Sequence, residues 1–166
     1  LLEVTACLGG RVEVSVLHDA TGLDPTVVED RLAPAIDEGL LVSEPDGPPA
    51  VRFRHDRVQE AILHRLGPER EPAVRLNLAR RLCERPALFE VAAQQYLPVV
   101  DRVADPDERR RMVDVFRRAA RQANLLSNQL LRERLLSAAV RLADRSEDTT
   151  LIELHTERHA ALYGLG

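Results

Sequence analysis

The chain contains no lysine and no tryptophan, and its aromatic side chains amount to three Phe and two Tyr in 166 residues. All 23 basic residues are arginine, a usage that reflects a GC-rich coding genome more than a choice of chemistry. The missing lysine nevertheless excludes two chemistries. A P-loop needs a lysine to reach nucleotide phosphates, and Schiff-base or lysine-base catalysis needs an amine. The two cysteines, Cys7 and Cys83, stand far apart without a CxxC partner. That spacing argues against a disulfide framework or a thiolate zinc site and fits a reduced, cytoplasmic setting. No apolar run approaches the ~18 residues of a membrane span, and no basic region leads an apolar signal core. A net charge of -4 and a pI near 5.8 give no global attraction to nucleic acid or anionic membrane. The sequence begins at Leu1 without Met and stops at Gly164-Leu165-Gly166, which reads as a piece cut from a longer chain.

What remains is 45% hydrophobic, enough for a real core in one ordinary domain or two small ones. With so few aromatics that core is built from Leu, Val and Ala, which suits helix packing better than a sheet sandwich. A mostly helical fold is therefore expected. Leu1 to Leu8 gives a short helix ended by Gly9-Gly10, and Arg11 to Ser15 alternates like a brief strand. Val14, Val16, Leu17 and Ala20 suit a helix closed by Gly22, and Asp24-Pro25 opens another that stops at Gly39. Pro34 within that second helix predicts a kink or an early end. Leu40-Leu41-Val42 and Val51-Arg52-Phe53 flank a loop rich in Pro and Gly, the pattern of a hairpin. Asp56, read as an N-cap, then opens a helix to Leu66, stopped by Gly67-Pro68. Helix, strand, two helices, hairpin and helix in that order predict a winged-helix domain over residues 1–67.

Residues 68–166 read as helical almost throughout, with breaks at Arg85-Pro86, Asp105-Pro106, Ser127 and Arg145 to Asp148. From Glu108 to Leu126 the residues Met112, Val113, Val115, Phe116, Ala119, Ala120, Ala123 and Leu126 share one face, with Arg110, Asp114, Arg117 and Arg121 opposite. Leu130 to Ala143 spreads its apolar residues over a wider arc, as in solenoid packing. Phe116, Ala119-Ala120, Ala123, Leu136 and Ala139 meet most of the tetratricopeptide template, although Arg132 stands where a small residue is expected. Antiparallel helical hairpins of tetratricopeptide-like type are predicted for residues 68–166.

Four stretches resemble a known family. Phe53-Arg54-His55-Asp56-Arg57-Val58-Gln59-Glu60-Ala61 is similar to the segment that follows the nucleotide-binding core in large bacterial STAND-type signalling ATPases. Leu88-Phe89-Glu90-Val91 with Asp105-Pro106-Asp107-Glu108-Arg109, and the run from Leu154 to Gly164, resemble the helical continuation in the same proteins. The resemblance implies a relay: an upstream ATPase core binding ATP or ADP, a winged helix packed on it, and helices that signal to a downstream output domain. It also offers His55 as a sensor of the nucleotide's phosphates, acting only with that core. A histidine that merely packs at the strand end is the competing reading.

Within the chain itself no cofactor is expected. The putting together of nucleophile, base and orienter that catalysis needs is absent from the sequence pattern, so no catalytic residue is assigned. His155 and His159 lie four apart and could meet one metal, but HTERH lacks the HExxH order and no third ligand is evident, so no metal is assigned. The candidate recognition helix carries Asp24, Glu29, Asp30, Asp37 and Glu38 against a single Arg31, which repels DNA phosphates. Arg110, Arg117 and Arg121 form a stripe that could dock an acidic protein partner, with a solvated face paired to Asp107 and Asp114 as the plainer reading. A regulatory region of a multidomain signalling ATPase leads. A DNA-binding winged-helix regulator with a helical effector domain and a self-contained tetratricopeptide adaptor stay open as alternatives.

Overall fold

The structure is a computed structural model that describes residues 1–44, 46–143 and 148–164, with the side chains of 148 and 149 left aside. It is mostly helical with one small antiparallel sheet and divides into two compact units, Leu1–Val91 and Ala92–Gly166.

In the first unit helix α1 (Leu2–Leu8) ends at Gly9, and strand β1 is only Val12–Glu13. The strand expected to reach Ser15 is cut short because Val14 already opens α2 (Val14–Thr21). Helix α3 (Pro25–Asp37) begins as the sequence suggested: Pro25 takes the first helical position, and the Asp24 carboxylate accepts from Thr26 N at 3.0 Å. The Thr26 hydroxyl first, and then that backbone bond, hold the Asp24 carboxyl below its ordinary pKa. The helix runs on through Pro34 to Asp37. Strands β2 (Leu41–Glu44) and β3 (Ala50–Phe53) form the hairpin, with Leu41 opposite Phe53 and Ser43 opposite Val51. β1 pairs on the other edge of β3, Val12 opposite Val51, so the sheet order is β1-β3-β2. Ala6, Val12, Leu17, Val28, Leu32, Leu41, Val51 and Phe53 bury against one another and make the core of this unit. Transfer of such side chains from water supplies about 1.5 to 3 kcal/mol each, the main favourable contribution to folding.

Helix α4 (Asp56–Cys83) is two helices joined at Gly67, whose φ of 73° and ψ of 174° lie outside helical space. The break falls where Gly67-Pro68 suggested. The unit does not end there. Beyond the break, Arg70 pairs with Glu3 at 3.2 Å and Arg75 donates to the Cys7 carbonyl at 2.9 Å. Arg85, just past α4, pairs with Asp19 of α2 at 2.9 Å. These contacts tie the second half of α4 to α1 and α2, within the compact unit Leu1–Val91.

Helix α5 (Phe89–Tyr96) leads into the second unit, where α6 (Pro106–Leu125) and α7 (Gln129–Leu142) pack as an antiparallel pair and α8 (Asp148–Tyr163) lies against α7. Met112, Val113, Phe116, Ala119, Ala120 and Ala123 of α6 are buried, as are Leu135, Leu136, Ala139 and Leu142 of α7. Leu126, assigned to that buried face from the sequence, is 67% exposed because α6 ends at Leu125 and the chain turns through Ser127 at φ 57°. Asp105 caps α6 by accepting from Glu108 N at 3.0 Å, and the buried Glu108 carboxyl accepts from the Tyr96 hydroxyl at 2.8 Å. The break expected over Arg145 to Asp148 lies outside the described residues up to Glu147, and α8 opens at Asp148. Among the described residues no helix is long and apolar enough to cross a membrane.

Two predictions follow from the geometry of the first unit. A methyl group at Gly67 would meet nothing within 4 Å, so any cost of Gly67→Ala comes from the backbone alone. That backbone region is essentially restricted to glycine, and the variant is expected to lose about 1 to 3 kcal/mol in denaturant unfolding. Burial pushes the Cys7 thiol up to about 11, from an ordinary value of 9.0. The folded chain then holds a proton that the unfolded chain releases between those two pH values, so stability falls as pH rises through that window. Unfolding measured across it should show a steeper fall for the natural chain than for Cys7→Ala.

Candidate functional site

His55 stands at the junction between β3 and α4. It is the N-cap of α4, with extended backbone at φ −135° and ψ 133°. Asp56, read from the sequence as the cap, is instead the first helical residue, where its negative charge still favours the helix N-terminus. The His55 ring makes no capping hydrogen bond and is exposed, flanked by exposed Arg54 and Arg57. The junction thus carries two arginines and one carboxylate, Asp56, next to the ring in sequence, all of them exposed.

The face of α3 turned to solvent carries Asp24, Glu29, Asp30, Asp37 and Glu38, all exposed, with Arg31 beside them. Val28, Leu32 and Ala35 point the other way into the core. The spacing that builds the core therefore leaves an acidic outer face, which repels phosphate backbones.

The arginine stripe of α6 separates into three different situations. Arg110 pairs with Asp107, one turn away at 3.0 Å, and both side chains are about two-thirds exposed. Arg121 is exposed at the distal end of the helix. Arg117 is different, with its side chain 19% exposed and its Nη2 held by Glu157 at 2.7 Å and by Glu153 at 3.0 Å. The hydrogen bond that Arg117 donates to Glu157, ahead of all other causes, raises the Arg117 pKa further. Arg117 thus serves α8 of its own unit and is not offered to a partner as the sequence reading had it, whereas Arg110 and Arg121 remain at the surface. A second pin joins α7 to α8: Arg158 donates to Glu133 at 3.1 Å, and Ser137 donates to the same carboxylate at 2.6 Å. Ser137 first, then Arg158, holds Glu133 below its ordinary pKa.

Arg109, Arg110, Arg117 and Arg141 also line a groove of about 770 Å³ between α6 and α7. Their charges are already committed. Arg109 donates to the Val103 and Arg141 carbonyls at 3.2 and 3.0 Å, Arg141 bonds Asp101, and Asp114 joins the lining. An anion entering this groove would meet carboxylates beside every guanidinium except Arg109. Among the described residues that line it, no nucleophile and base stand together. Sequence reasoning gave no hint of the two ion-pair pins, because their partners are separated by 25 to 40 positions.

No family model matches the chain, nor does any curated protein or solved structure.

A double-mutant cycle separates the structural arginine from the surface one. Arg117→Ala combined with Glu157→Ala is expected to show a coupling of about 0.5 to 3 kcal/mol in thermal or denaturant unfolding. Arg110→Ala should stay within about 0.5 kcal/mol of the natural chain, as exposed pairs one turn apart usually do.

Proposed function

We propose that this chain is a non-catalytic regulatory and protein-interaction region of a multidomain bacterial signal-transduction ATPase. In this reading a winged helix and tetratricopeptide-like hairpins relay nucleotide state from an ATPase core to an output domain. The observation that carries the reading is His55, exposed and uncommitted to any cap, within the Phe53–Ala61 stretch on which the family resemblance rests. The order of elements in the first unit and its β1-β3-β2 sheet with a protruding hairpin support the winged-helix part. The antiparallel pairing of α6 with α7 and of α7 with α8 supports the repeat part. ATP or ADP would be held by the core, and this chain would contribute His55 toward the phosphates. The DNA-binding alternative loses support from the acidic outer face of α3.

A phosphate contact made in the resting state favours that state by its differential energy. A hydrogen bond to a charged group is worth about 1.5 to 3 kcal/mol, so its loss shifts the equilibrium roughly ten- to a hundredfold. His55→Ala in the full-length protein should therefore speed nucleotide release and raise basal output, while the melting temperature of the present chain stays unchanged. Unaltered release from the variant parent ends the sensor role. A drop in melting temperature restores the packing role that the exposed ring argues against.

A further inference from the structure

We draw no further inference here: the strongest candidate, the arginine-lined groove between α6 and α7 with the unpartnered Nε of Arg117 beside it, carries nothing, because that nitrogen is buried, the guanidinium groups of the lining already serve the ion pairs and hydrogen bonds described above, and nothing in the structure shows what enters the groove.

Discussion

The first unit depends on one backbone constraint, the turn at Gly67. A residue at φ 73° and ψ 174° ends one helical run and aims the next. Pro68 follows, and α4 then resumes along α1, where Arg70 and Arg75 reach Glu3 and the Cys7 carbonyl. The sheet depends on the same arrangement at one remove: Ala6 of α1 joins the core beneath Val12, Val51 and Phe53, and Gln59 of α4 donates to the Ala6 carbonyl at 2.9 Å.

In the second unit the comparable role belongs to Arg117. A guanidinium on α6 that holds two carboxylates of α8 does more than add an ion pair. It joins α6 to the flank of α8 next to the buried Leu154 and Ala161, while His155 and His159 face outward. A partly shielded pair is worth more than an exposed one because solvent screens it less.

Much of the fold was legible from local signals. Asp24-Pro25, Gly22, Gly67-Pro68 and Asp105-Pro106 each mark a helix boundary in the structure, because capping and forbidden backbone regions act within a few residues. Long-range partnership was not legible. The boundary near Gly67 looked convincing because glycine followed by proline punctuates both linkers and bends, and only the contacts of Arg70 and Arg75 decide which it is. Arg117 looked like Arg110 and Arg121 for the same reason: an amphipathic helix shows its polar face but not what lies against it. His55 was found through a family resemblance, and its exposure is what the structure adds.

The central structural claim is that the second half of α4 belongs to the first folding unit. Thermal unfolding of residues 1–91 beside residues 1–67, followed by circular dichroism, tests it most directly. Residues 1–91 are expected to unfold in one cooperative transition, with residues 1–67 melting at a distinctly lower temperature or showing no transition at all. Equal midpoints for the two segments would contradict it.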